Sequence, residues 1–140
     1  MKQPFATGHT KTHTFTVTES DLATFDSGPV HAVCATFTLA KHIEWASRLF
    51  VLDMTEADEE GIGTLLTIEH RAPALLGQVV TITACIESLQ GHELICTYQA
   101  TTAGRTIAVG KTGQRILKKS KIKTLFSNER NSDERDSYEL

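Results

Sequence analysis

Thr38-Leu39-Ala40-Lys41-His42-Ile43-Glu44-Trp45-Ala46-Ser47-Arg48-Leu49-Phe50-Val51-Leu52 is the one long stretch of this chain with a helical apolar period. Leu39, Ile43, Ala46 and Phe50 recur at steps of four, three and four, so they share one face and predict a helix over about Thr38–Leu52. Ala40, Trp45, Leu49 and Leu52 widen the apolar surface beyond a narrow seam, which predicts a helix largely wrapped by other structure.

Before the helix, Lys11 to Thr18 alternates threonines against His13, Phe15 and Val17 and predicts a first strand. Glu19 to Pro29 reads as a turn-rich passage, with Asp26-Ser27-Gly28-Pro29 marking a loop. After the helix, the acidic run Thr55-Glu56-Ala57-Asp58-Glu59-Glu60-Gly61 reads as a break, and the remainder reads as sheet. Gly63 to His70 is one expected strand. Gln78 to Leu89, Glu93 to Thr102 and Thr106 to Leu117 are three more, joined at Gly91-His92 and Ala103-Gly104 in an antiparallel meander. No strand–helix–strand rhythm appears, so a parallel Rossmann-type sheet is not expected. One apolar helix followed by long antiparallel strands is α+β, and a sheet curled around the helix is the hotdog arrangement. The rival helix-plus-curled-sheet folds, cystatin-like and ketosteroid-isomerase-like, place further helices before the meander, where this chain has little room. The expected organisation is an N-terminal extension over 1–10, a hotdog domain over 11–126 and a polar tail over 127–140. The tail is charged in both signs and nearly free of apolar residues, so disorder is expected there.

A chain of 140 residues fits one domain with a single core. Its net charge of −3 gives no basic footprint for nucleic acid. No stretch approaches the roughly 20 apolar residues that span a bilayer, and Met1-Lys2-Gln3-Pro4-Phe5 lacks the apolar run of a signal peptide. Cys34, Cys85 and Cys96 are widely separated and form no CxxC or Cys/His cluster, which argues against zinc and for reduced thiols in a cytoplasmic protein.

Three residues carry the chemistry on offer: Thr36 at the mouth of the helix, Glu44 within it and His70 at the end of the next strand. Read singly, each has an ordinary explanation. Thr36 is a good helix N-cap, Glu44 can pair with Arg48 on a solvated face, and a strand-end histidine is often exposed. Read together, a hydroxyl, an acid and a base suit acyl transfer, where a hydroxyl or water is deprotonated by an oriented base. The helix N-terminus near Thr36 to Leu39 would present free N–H groups to an oxyanion, and Gly63 would permit close backbone approach. Of the other histidines, His13 and His92 read as solvent-exposed and His42 as lying on a different helix face from Glu44. His31 is the one to watch, because its loop approaches Thr36. The basic run Lys118, Lys119, Lys121 and Lys123 reads as strand-end solubilisation rather than a phosphate site.

Thr36, then Glu44 eight residues later, then Gly61-Ile62-Gly63-Thr64 leading to His70 twenty-six residues after Glu44, then Pro73 and Gly77, resemble the thioesterase-like hotdog family. The likeness is greatest to fluoroacetyl-CoA thioesterase-like proteins. Ile107 to Arg115, ending in Gly110-Lys111-Thr112-Gly113-Gln114-Arg115, is similar to that family's closing strand. The resemblance covers Thr12 to Lys119 and leaves the tail aside. It implies an acyl-CoA thioesterase that hydrolyses a small or medium acyl thioester to acid and free coenzyme A, without metal or cofactor. It also implies a homodimer built edge to edge, with Thr36, Glu44 and His70 catalytic and with Val30, His31, Gly63 and Arg115 binding substrate. Lys41-His42-Ile43 departs from the small or apolar residues usual before the glutamate, and the fluorinated substrate is not implied. A hotdog protein that binds acyl-CoA or another apolar ligand without turnover is the alternative. A hotdog dehydratase ranks last, because Glu44 with His42 is not its His/Asp arrangement.

Overall fold

The structure is a computed structural model that describes the backbone of residues 1–25 and 28–139, with side chains described for 1–23 and 32–132. Strands β1 (Thr10–Thr16), β2 (Leu22–Phe25) and β3 (Gly28–Cys34) precede the long helix α1 (Thr36–Met54). Then follow β4 (Glu59–Leu66), β5 (Glu69–His70), β6 (Val79–Gln90), β7 (Glu93–Thr102), β8 (Arg105–Lys118) and helix α2 (Lys119–Glu139). The main sheet runs β1-β6-β7-β8-β4, with β5 also on β8; β2 and β3 form a separate hairpin. Every pairing is antiparallel. This is α+β with the helix on one face of a curled sheet, the hotdog arrangement.

The predicted stripe is the core. Leu39, Ile43, Ala46 and Phe50 are all 0% exposed. They meet the inward residues of the sheet, among them Val80, Ile82, Ala84 and Ile86 of β6 and Leu94, Cys96, Tyr98 and Ala100 of β7, spaced two apart as a pleated strand requires. Each large side chain buried there stabilises the fold by about 2 kcal/mol. The meander turns follow glycine. Gly91 takes φ 60° at the first position of a two-residue loop, while Ala103 and Gly104 take φ 49° and 74° in the other, the positive pair of a type I′ hairpin.

Several expectations are corrected. The passage Glu19–Pro29 is not a plain loop: a 3₁₀ turn at Glu19–Asp21 leads into the β2–β3 hairpin, with Leu22 opposite Cys34. Of the expected loop there, Asp26 and Ser27 lie outside the described residues. The acidic break ends early, because Glu59 already belongs to β4. Its carboxylate accepts the Glu56 N–H at 2.9 Å and pairs with the Met1 ammonium at 3.0 Å, which hold it below the ordinary carboxylate range. Those partners make an acid tolerable at a buried strand start. The strand expected over Gly63–His70 divides into β4 and β5, with a bulge between Gly63 and Leu65. Helix α1 is not wrapped on all sides: Phe37 is 86%, Trp45 42% and Leu52 50% exposed. The N-terminal extension docks on the domain, Phe5 meeting Phe50 edge-on at 5.1 Å. Among the described residues no helix is long and apolar enough to cross a membrane.

The expected disordered tail is also corrected, since α2 continues from β8 as helix to Glu139. No glycine or proline follows Gly113, so nothing in the backbone chemistry stops a helix once begun. Its hold on the domain is slight: Ile122 is its one buried apolar side chain among the described residues, while Leu125 and Phe126 are 44% and 63% exposed. Deleting residues 127–140 is therefore expected to move the melting temperature by no more than about 3 °C. A larger drop in a thermal melt would show that α2 docks on this chain or on another.

Candidate active site

Thr36 is the first residue of α1 and not its N-cap. Ala35 caps the helix, has no side chain to satisfy the free N–H groups, and is held by its own N–H to the Asp21 carbonyl at 2.8 Å. The Thr36 hydroxyl is thereby left for another partner, and its Oγ1 stands 2.9 Å from His70 Nδ1. With the ring proton on Nε2, the hydroxyl donates to Nδ1; with the proton on Nδ1, the ring donates to the hydroxyl. Both residues keep access to solvent, Thr36 exposed and His70 half-buried. The first turn of α1 has no acidic side chain and no side-chain cap, so its N–H groups and the positive end of its dipole beside Thr36 are left without a side-chain partner.

Glu44 belongs to a different opening. It lines a cleft of about 450 Å³ with His13, His42, Trp45, Gly63 and Leu65. The expected Glu44–Arg48 pair is not formed: Arg48 donates Nη1 to the Gly61 carbonyl at 3.3 Å, and no ion pair to Glu44 exists among the described residues. Beneath Glu44, Ser47 donates to the Glu44 carbonyl at 3.1 Å and receives the buried Gln114 amide at 3.4 Å. Eight residues along α1 separate Glu44 from Thr36, a rise of about 12 Å. On the sheet, Gly63 lies opposite Gln114 and His70 opposite Ala108, roughly 20 Å apart along β8. Within one chain, Thr36 meets His70 and Glu44 meets Gly63, but the two pairs do not meet each other.

The expected binding residues divide similarly. Gly63 is open, with nothing within 4 Å of where a Cβ would stand. Arg115 is elsewhere: it points away from α1, pairs with Glu93 at 2.8 Å and lines a separate groove beside Lys121 of α2. Val30 and His31 lie on β3, and their side chains fall outside the described residues. Among the described residues no three metal-ligating side chains gather.

One cluster was not expected. His13 is not simply solvated, since its Nε2 lies 2.9 Å from His42 Nδ1 and both rings border the Glu44 cleft. His42 also stacks on Phe15 at 3.8 Å between centroids. The alternation of β1 carries the clue, because His13 and Phe15 share the face opposite the threonines, and that face meets α1. Burial holds both imidazoles below their ordinary range, and His42 is pushed down further by His13 and then Lys41, against a smaller opposing pull from Asp21. A histidine depressed on folding takes up its proton more readily when unfolded, so its stabilising contribution is lost as pH falls through the ordinary value near 6.5. Urea midpoints should drop between pH 7.5 and 5.5, and His42→Gln should shallow that drop. Parallel pH curves for the two proteins would show that the pair does not carry the effect.

The chain matches the family model of the fluoroacetyl-CoA-specific thioesterase over residues 17–120. Among solved structures, a hypothetical protein of Thermus thermophilus, a thioesterase superfamily member, is 35% identical over 94% of this chain and 98% of its own, with a TM-score of 0.87. The fluoroacetyl-CoA thioesterase itself is 22% identical over 90% of this chain and 98% of its own, with a TM-score of 0.81. A hot-dog-like protein from Thermanaerovibrio acidaminovorans is 16% identical over 89% of this chain and 93% of its own, again at 0.81. No curated protein matches the chain. With the family model spanning most of the hotdog domain, the chain belongs to the fluoroacetyl-CoA-specific thioesterase family and is an acyl-CoA thioester hydrolase.

Proposed function

We propose that this thioesterase acts on small or medium acyl-CoA as a homodimer, with Thr36 and His70 of one subunit facing Glu44 of the partner subunit. The observation that carries the reading is the 2.9 Å bond between Thr36 and His70 at an uncapped helix N-terminus. In this scheme His70 takes a proton from the attacking water as its oxygen bonds to the thioester carbonyl carbon. The carbonyl oxygen becomes an oxyanion and is stabilised by N–H groups of the first turn of α1. Collapse breaks the carbon–sulfur bond, and the proton on His70 passes to the departing thiolate, giving acid and free coenzyme A. Thr36 orients the imidazole, and Glu44 contributes the carboxylate of the constellation.

Assembly is argued from what one chain leaves open. Strand β4 ends the sheet order, so its outer edge has no partner strand among the described residues. Beside that edge stand Gly63 and the half-exposed Trp45 and Leu65. Three free thiols fit a reducing compartment, and we place the enzyme in the cytoplasm. Variants of the fluoroacetyl-CoA thioesterase have been seen with fluoroacetate and CoA, in a phenylalanine variant, and with acetyl-CoA, in a threonine variant. A panel of straight acyl-CoAs beginning with acetyl-CoA is the natural test.

Glu44→Gln and His70→Ala should each lower thiol release by about a hundredfold or more, and the double variant should be no worse than the weaker single one. Mixing the two single variants after unfolding and refolding is the sharper test. If the site draws on both subunits, each heterodimer holds one intact constellation and activity returns to about a quarter of the parent's under random pairing. No recovery in mixtures that do form heterodimers would put all three residues in one chain and sink the shared-site reading.

A further inference from the structure

The strand that carries His70 is only two residues long, Glu69–His70, opposite Val109 and Ala108. So short a strand cannot set its own depth, and its flanks must do so. On the C-terminal side, Arg71 N–H donates to the Ile107 carbonyl at 2.7 Å and Ala72 N–H to the same oxygen at 3.2 Å. On the N-terminal side lies Thr67-Ile68, where β4 is interrupted. Leu66 lies opposite Thr112 and Glu69 opposite Val109, three steps apart on each strand, so no residue is gained or lost there. The interruption is a local rotation of the backbone.

Thr67 is where the rotation is held. Its N–H donates to the Lys111 carbonyl at 2.9 Å, as in an ordinary antiparallel pair. The reciprocal bond is altered: Lys111 N–H donates to the Thr67 hydroxyl at 2.9 Å instead of to its carbonyl. The freed carbonyl accepts the Tyr98 phenol at 2.6 Å. Tyr98 stands on β7 opposite Gly110 of β8, and its ring crosses that glycine to reach the next strand. A Cβ at position 110 would stand 2.7 Å from the phenol oxygen and would run into the Thr67 carbonyl. Only glycine leaves the crossing open. The ring is 4% exposed, and burial pushes the phenol up to about 12, so it remains a neutral donor.

We propose that Tyr98 is a positioning residue for His70: its phenol, crossing Gly110 to hold the Thr67 carbonyl, sets strand Glu69–His70 at the depth from which the imidazole meets the Thr36 hydroxyl. Tyr98 touches neither Thr36 nor His70 and acts through three residues of backbone. Its ring fills core space and its hydroxyl fixes the strand, two roles that Tyr98→Phe separates. The inference rests on His70 as the base of the thioesterase site, so its test needs a readout that does not pass through turnover.

The experiment compares parent, Thr36→Val and Tyr98→Phe, labelled with ¹⁵N, through the ring nitrogen signals of His70, assigned with His70→Asn. Thr36→Val supplies the spectrum of an imidazole that has lost its hydroxyl partner. Tyr98→Phe is expected to move the His70 signals toward that spectrum and to lower kcat on acetyl-CoA about tenfold with KM little changed. His70 signals identical to the parent's in Tyr98→Phe would overturn the proposal, whatever the melting temperature does. A parent that releases no thiol from any acyl-CoA would count against the assigned chemistry alone, and the ring signals would still decide the role of Tyr98. Should Tyr98→Phe fail to fold, Thr67→Val removes the exposed hydroxyl tie at the same point. It is read in the same way, shifted His70 signals supporting the clamp and parental ones refuting it.

Discussion

Helix α1 has to be enclosed on one side, and most of this molecule follows from that. Leu39, Ile43, Ala46 and Phe50 lose all contact with water only because β6, β7 and β8 bend past them with a buried, mostly apolar face turned inward. The sheet is long enough to curl because its three central strands are joined by tight turns, with no helix between them to cover the other face. That face stays polar, and Thr81, Thr83, Thr97 and Thr101 stand between the buried positions. Enclosure also fixes where α1 begins. Its first turn emerges at the end of the sheet where β5 lies, which brings Thr36 to His70.

Enclosing one side leaves the other. The same helix turns Trp45 and Glu44 toward a cleft that β4 borders but does not close, and Phe37 and Leu52 stand largely in solvent. Under the proposed function, a carboxylate about 12 Å along a helix from its hydroxyl suits one chain poorly. The proposed dimer, with a second copy covering the open face, would form a symmetric pair of sites. The proposed chemistry and the unburied surface rest on different residues, and both motivate the same proposed assembly.

Much of this was legible in the sequence because periodicity reports burial directly. The helix, the meander and its turns came from apolar spacing and glycine placement, and β7 was delimited to the residue. Thr36 and His70 were legible as a pair only through motif spacing, since neither is chemically unusual alone. What could not be read depended on pairings that leave no periodic trace, some local and some far along the chain. The β2–β3 hairpin hides in a turn-rich passage because its pairing is local and its strands are short. Glu59 looks like a breaker until its partners Glu56 and Met1 are seen. His13 and His42 are 29 residues apart, and no local pattern announces their bond. The tail misled for a related reason: low apolar content argues against a core, yet it does not forbid a solvated helix that grows out of a strand.

Strand β4 is an edge of the main sheet among the described residues. Exposed edges usually carry a lysine or proline that discourages pairing, but Glu59-Glu60-Gly61-Ile62-Gly63-Thr64-Leu65-Leu66 has neither. Its acids cluster at the start, where Glu59 is already committed, and its open residues Gly63, Thr64 and Leu65 are small or apolar. Glycine recurs on the strand behind it. A Cβ at Gly113 would stand 2.8 Å from the Thr64 hydroxyl and 2.9 Å from the Leu65 Cβ, so the bulge of β4 needs that position bare. Gly110 serves the Tyr98 crossing three residues away. Two glycines of β8 thus make room at separate points, Gly113 for the bulge of β4 beside the cleft that holds Glu44 and Gly110 for the Thr67 carbonyl between β4 and β5. A substitution at Gly113 would press on β4, and one at Gly110 on the Thr67 carbonyl and the Tyr98 phenol, so positions on the second strand from the edge constrain both the cleft and the segment that leads to His70.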